Sequence, residues 1–150
     1  EVVRLRGEAL RRLGSLEDAR RDALRAVELD PQDPVSHLLL GRVRLMSSAF
    51  GQAAVSINRG LKYLGENAPE RPNALVLQAW AVLGAWGDLP KALNSVSEAR
   101  EAGSVDAELV AEVRALALAK AKEQGVGLDP AVLELLGEEA PAEGPDDDPR

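Results

Sequence analysis

The chain repeats itself at a spacing of 34 residues, and this repeat constrains its fold more than any other feature. Residues 6–31 align without a gap with residues 40–65, and residues 79–104 align with both after a short insertion. The matched positions are Gly7 with Gly41, Leu16 with Phe50 and Leu89, Ala19 with Ala53 and Ala92, and Ala26 with Gly60 and Ala99. Repeats of roughly 20–50 residues are typical of chains in which each unit buries its apolar face only against its neighbours.

Each copy has the pattern of two helices joined by a turn. In the first copy, leucines at helical spacing end at Gly14, and Ser15 with Asp18 resembles a capping box that starts a second helix. The recurring alanines and glycines allow the two helices to approach closely, since a bulky side chain there would overpack the contact. Only 3% of the residues are aromatic, and β-branched residues are scarce, which argues against an all-β fold. The sequence therefore predicts an all-α domain.

These residues resemble the tetratricopeptide repeat, a family of 34-residue helix-turn-helix units that stack into a right-handed superhelix with a concave groove. The first copy carries the resemblance at Gly7, Leu10, Gly14, Ala19, Ala23, Ala26, Leu29, Asp30 and Pro31. The later copies depart from the pattern at Arg44, where an aromatic residue or leucine is usual, at Gly65 and at Trp80. The resemblance implies an α-solenoid of about three repeats, at about 1–33, 34–67 and 73–103.

The chain after the third copy is expected to close the stack. A long helix capped by Ser104 places apolar residues on one face, and Asp129–Pro130 starts a last short helix that ends at Gly137. We expect capping helices over 104–137, which completes a repeat domain of 1–137. Residues 138–150 form an acidic tail that carries −5 of the net charge of −7. Their composition predicts disorder and a solubilising end, and docking of the acidic segment is the alternative.

The sequence offers almost nothing for catalysis, cofactors or metals. It has no cysteine and a single histidine, which excludes thiolate zinc sites and leaves little for an imidazole site. We expect His37 to be a structural residue, and one of Trp80 and Trp86 to lie in the core with the other exposed. No nucleophile, phosphate-binding or dinucleotide motif is present. We therefore predict no enzymatic activity, no cofactor and no metal.

Charge and hydropathy also narrow the classes of partner. Residues 1–137 have 17 basic and 19 acidic side chains, so a nucleic-acid partner is not expected, because such binding needs a clustered basic face. No apolar run approaches the roughly 20 residues of a membrane span, and residues 1–8 lack a signal core. The compartment does not follow from the sequence, although a cytoplasmic location is the expectation.

The groove is the remaining candidate site. In the tetratricopeptide family the first helix of each pair lines it, and carrying those positions over implies a partner-binding surface that is charged at one end and aliphatic at the other. Its predicted residues are Arg4, Glu8, Arg11, Arg12, Leu38, Leu39, Arg42, Leu45, Met46, Leu77 and Gln78, with Val35 and Ala74 at further carried-over positions. We expect a scaffold that binds a peptide or amphipathic helix of another protein there. The competing interpretation is that the C-terminal helices cover the groove.

Two further interpretations concern the kind of partner. The family's clamp for chaperone C-terminal tails would require cationic and amide side chains at positions occupied here by Arg4, Glu8, Leu39, Ala74 and Gln78, so such tails are disfavoured. The alternative function is structural self-assembly, either as a homo-oligomer or as a fragment of a larger repeat protein.

Overall fold

The computed structural model describes Glu8 and residues 14–137, and within these residues it contains seven α-helices and no β-strand. The helices are α1 (Leu16–Leu29), α2 (Pro34–Met46), α3 (Phe50–Tyr63), α4 (Arg71–Trp86), α5 (Leu89–Ala102), α6 (Ala107–Gln124) and α7 (Pro130–Leu135). The predicted all-α class is therefore confirmed. Helices α1 and α3 begin 34 residues apart, as the alignment of the first two copies requires.

Four of the helices begin at an aspartate whose carboxylate accepts a hydrogen bond from a backbone N–H of the first turn. The pairs are Asp33 with Val35, Asp88 with Lys91, Asp106 with Glu108 and Asp129 with Val132. These bonds satisfy amides that have no partner inside the helix. Prolines follow in the first turns of α2, α5 and α7, where a missing N–H costs nothing.

Two predicted caps are wrong. Ser15 precedes α1 but makes no side-chain capping hydrogen bond, so the capping box does not form. The long C-terminal helix begins after Asp106 and not at Ser104. Asp106 caps this helix through its own carboxylate, and its backbone N–H also donates a 2.8 Å hydrogen bond to the side-chain carbonyl of Asn73 in α4.

The core is built where successive helices pack against each other. The recurring small residues are all buried at these contacts: Ala19, Ala26, Ala53, Gly60, Ala92 and Ala99. A β-carbon on Gly41 would lie 2.5 Å from Cγ1 of Ile57, and one on Gly60 would lie 2.7 Å from the Leu38 side chain. Helices α2 and α3 therefore approach more closely than a larger residue at either glycine would allow.

The last two helices, α6 and α7, pack against α4 and α5. Helix α6 packs mainly against α4 and only lightly against α5, whereas α7 packs against α5. The side-chain amide of Gln124 donates to the carbonyl of Gly87 at 2.8 Å, which joins the ends of α6 and α4. The predicted tail, residues 138–150, lies outside the described residues.

Arg44 occupies a partly buried position between α2 and α3. Its Nη1 donates to the hydroxyl of Ser56 at 2.6 Å and more weakly to the carbonyl of Gln52, while its buried Nε has no hydrogen-bond partner in the described part of the chain. Burial, and secondarily the positive charges of Arg20 and Arg59, lower the pKa of Arg44 from its usual value. A charge held this way costs desolvation that neutral hydrogen bonds offset only in part.

Replacing Arg44 by methionine is expected to raise the free energy of unfolding by about 1 kcal/mol. The apolar side chain keeps most of the packing, and the hydroxyl of Ser56 can turn to the carbonyl of Gln52 one helical turn earlier. Urea denaturation measures the change, with Arg59→Met at an exposed position as the control, expected within about 0.5 kcal/mol of the original chain. A less stable Arg44→Met variant would show that the bond to Ser56 outweighs the cost of burying the charge.

Candidate groove between α2 and α4

A cavity of about 190 Å³ lies between α2 and the N-terminal part of α4. Its lining residues are Glu8, Val35, Leu38, Leu39, Arg42, Glu70, Asn73, Ala74 and Leu77. In each of the two segments the lining positions follow the same spacing of i, i+3, i+4 and i+7, from Val35 in one and from Glu70 in the other. This spacing places four side chains on one face of a helix, so the cavity is formed by two helical faces turned toward each other.

The floor of the cavity is apolar and the charges lie among its other lining residues. Leu38, Leu39 and Leu77 are 9%, 5% and 4% exposed, so they offer a well-packed apolar surface with little area in solvent. Small-molecule sites usually occupy roughly 300–1,000 Å³. A smaller apolar cavity suits one anchoring side chain of a protein partner better than a metabolite or cofactor.

The described lining residues also include charged and amide side chains. Glu8 and Glu70 contribute carboxylates, and Arg42 contributes one guanidinium. Asn73 is held in place because its side-chain carbonyl accepts the hydrogen bond from Asp106. The start of α6 therefore helps to position a residue of the cavity wall.

The structure brings together five of the residues predicted from the sequence. Glu8, Leu38, Leu39, Arg42 and Leu77 line the cavity, as do Val35 and Ala74, which occupy further carried-over positions. Arg4, Arg11 and Arg12 lie outside the described residues.

Three other predicted residues do not line the cavity. Leu45 is 2% exposed and belongs to the main core cluster, together with buried residues of α3 and α4. Met46 lies one residue further around the helix and is 39% exposed, away from the cavity lining. Gln78 instead joins three helices, since its Nε2 donates to Asn58 Oδ1 and its Oε1 accepts from the Ser95 hydroxyl, both at 3.0 Å.

Sequence reasoning missed Glu70 and Asn73. The predicted third copy begins at residue 73, so Glu70 falls in the connecting loop, whereas α4 begins at Arg71 and Glu70 directly precedes it. The signal was present, because Glu70 and Asn73 continue the helical spacing of Ala74 and Leu77 toward the N-terminus.

The C-terminal helices leave this cavity uncovered within the described residues. The lining residues belong to Glu8, α2 and the segment from Glu70 through α4, and none comes from α6 or α7. Helix α6 lies against α4 without contributing to the wall. This arrangement favours an accessible cavity over the interpretation in which the last helices fill it.

The remaining chemistry-bearing residues have structural surroundings. His37 is buried, its Nε2 lies 2.7 Å from the carbonyl oxygen of Pro31, and its ring stacks on Tyr63, in line with the predicted structural role. Trp80 packs partly buried against the core while Trp86 is 63% exposed, as predicted.

Across Glu8 and residues 14–137, no cluster of histidine and acidic side chains is arranged to hold a metal ion. In the same residues no helix combines the length and apolar character needed to cross a membrane.

Comparison with known proteins returned no match, either to a protein-family model or to a curated protein. The relation to the tetratricopeptide repeat therefore stays a prediction from the repeat pattern.

Proposed function

We propose that the chain is a non-catalytic interaction module that binds a segment of another protein at the cavity between α2 and α4. The observation that carries this proposal is the pair of facing helical stripes, whose apolar floor is surrounded by charged and amide side chains. Binding sites for peptides and helices commonly combine an apolar anchor pocket with polar groups around it.

The overall arrangement is proposed to be a tetratricopeptide-like solenoid. Three observations support it: the 34-residue spacing of α1 and α3, the burial of the recurring small residues, and the packing of each of α1 to α4 against the next helix along the chain. In such an arrangement α2 and α4 are the first helices of successive repeats, which is where the predicted groove lies.

The charges at the cavity favour one kind of ligand. The carboxylate of Glu70, which forms no ion pair with a described residue, lines the cavity beside the leucines, so a segment with an apolar anchor and a basic or neutral neighbour fits better than one ending in a carboxylate. Glu8 and Leu39 occupy two positions of the chaperone-tail clamp and line the cavity, where each disfavours an acidic terminus. An acidic flank would depend on Arg4, Arg11 and Arg12, which lie outside the described residues.

Filling the cavity should abolish most of this binding. Val35 is partly exposed on the cavity wall, and Val35→Phe places a ring in the space that a partner's anchor would occupy. Losing one apolar anchor worth roughly 1.5–3 kcal/mol should weaken binding about ten- to a hundredfold. The probe is a set of 12-residue peptides selected on the original chain from a phage-displayed library, with dissociation constants measured by fluorescence anisotropy.

The matched control is Val55→Phe, which adds the same ring at a half-exposed position of α3 away from the cavity. Its affinity for the selected peptides should stay within twofold of the original, and circular dichroism should show both variants folded. Equal binding of the peptides by the two folded variants would place their site elsewhere on the surface. Sedimentation at several concentrations tests the self-assembly alternative, for which the chain itself would be oligomeric.

A further inference from the structure

A second cleft, of about 290 Å³, lies where the end of α5, the start of α6 and the end of α7 meet. Its walls include the apolar side chains of Val105, Val110 and Leu136, and two arginines, Arg100 of α5 and Arg114 of α6. It shares no residue with the cavity between α2 and α4, so a ligand bound in this cleft is independent of the proposed function.

The two arginines hold the last turn of α7 but have no counter-charge among the described residues. Nε of Arg100 donates to the carbonyl of Leu135 at 2.7 Å, and Nη1 of Arg114 donates to the carbonyl of Gly137 at 3.2 Å. Neither guanidinium forms an ion pair within Glu8 and residues 14–137. Because a guanidinium has five N–H donors, each arginine keeps several donors beyond its bond to a neutral carbonyl.

Gly137 brings the chain between these two charges. A β-carbon on Gly137 would lie 3.5 Å from Nη2 of Arg100 and 3.9 Å from Nη1 of Arg114. Its φ of +77° is the left-handed conformation that ends helices and turns the chain sharply. The segment that follows therefore leaves the described structure from a point flanked by two guanidinium groups.

The sequence of that segment is complementary to the cleft. Glu138 and Glu139 follow Gly137 directly, then come Ala140 and Pro141, and residues 138–150 contain six acidic side chains and a single arginine. Consecutive Cα atoms are about 3.8 Å apart, so the first two glutamates start within side-chain reach of both arginines. The small apolar residues after them match the apolar walls.

We propose that the beginning of the chain's own C-terminal segment, Glu138–Pro141, docks in this cleft with its carboxylates on Arg100 and Arg114. This contact holds α7 against α5 and α6, because it gives Arg100 and Arg114 the counter-charges that α7 itself does not provide. Because these carboxylates are covalently attached, their effective concentration at the cleft is in the millimolar range. They therefore occupy the cleft in preference to a free acidic ligand that is present at a lower concentration. The acidic segment thus docks near its origin, beside the end of α5 and the start of α6.

The test compares two variants of the full chain that remove the same number of charges. Glu138→Gln with Glu139→Gln removes the carboxylates nearest the cleft, while Asp147→Asn with Asp148→Asn removes two farther along the segment. The readouts are the NMR signals of the Nε–H groups of Arg100 and Arg114, and hydrogen exchange of the backbone amides of Leu136 and Gly137, which bond to carbonyls within α7.

The proposal expects both arginine signals to shift in the glutamate variant and to stay near their original positions in the aspartate variant. Exchange at Leu136 and Gly137 should be about two- to fivefold faster in the glutamate variant alone, as expected for losing two exposed charge pairs. In 1 M NaCl, where the screening length is about 3 Å, the original chain should approach the glutamate variant. Equal effects of the two variants on the signals and the exchange, or no effect of either, would show that Glu138–Pro141 does not dock in the cleft.

Discussion

Replacing Leu45 by alanine is expected to lower the free energy of unfolding by about 2–5 kcal/mol. Leu45 is 2% exposed and packs within the main core cluster, so truncation removes buried methyl groups and leaves a cavity that the surrounding helices fill only in part. Urea denaturation followed by circular dichroism measures the loss through the shift of the transition midpoint.

The neighbouring substitution Met46→Ala is the control, because Met46 lies on the same helix and is 39% exposed. It should change the free energy of unfolding by less than about 1 kcal/mol. The sequence placed both side chains on the partner-binding surface, and that interpretation predicts small and similar effects on stability for the pair. An unchanged midpoint for Leu45→Ala would contradict the burial of Leu45 and support its predicted place on the partner-binding surface.

The helices themselves could be predicted because a few local residues determine where each helix begins and ends. Gly87 has a left-handed φ of +62° and ends α4, and Asp88 then caps α5 with Pro90 in its first turn. Asp129 and Pro130 start α7 in the same way. Glycine, proline and aspartate act on the backbone within one or two residues, so sequence reasoning reads them without knowing the tertiary structure.

Features set by contacts between distant residues could not be predicted in this way. The start of α6 combines a local cap, Asp106, with a hydrogen bond from the backbone N–H of Asp106 to Asn73, 33 residues away. Gln78 was assigned to the groove by its position in the repeat, but its amide is used by Asn58 and Ser95 on the neighbouring helices. Neither pairing leaves a periodic signal in the sequence.

The candidate groove was predictable in its position and less so in its composition. The repeat pattern predicts groove positions at Leu38, Leu39 and Leu77, and these three residues line the cavity. The predicted third copy begins at residue 73 whereas α4 begins at Arg71, so the predicted groove lacks Glu70. Leu45 is predicted on the groove, but its side chain is buried in the core. Both errors arise because repeat position fixes a residue's approximate direction, while the side chains that wall a cavity depend on the helices packed around it.

Replacing Gly84 by alanine should destabilise the chain by about 1–3 kcal/mol, although alanine is the better helix former. The aromatic ring of Phe50, at the start of α3, lies on Gly84 of α4, and a β-carbon there would overlap the ring. Cγ, the ring carbon nearest the backbone, is among those overlapped, so either the ring must leave its position or α3 must shift from α4. Differential scanning calorimetry or urea denaturation reports the loss.

The control is Gly51→Ala, since Gly51 also lies in a helix but a β-carbon there would meet nothing within 4 Å. This variant should be as stable as the original or gain up to about 1 kcal/mol, because alanine loses less backbone entropy on folding than glycine. The cause of the loss at Gly84 is tested by making the same change in a Phe50→Ala background, where the ring is absent. There Gly84→Ala should cost nothing further, because the two substitutions act on one contact. A loss of the same size with and without the ring would mean that Gly84 is needed for a reason other than its contact with Phe50.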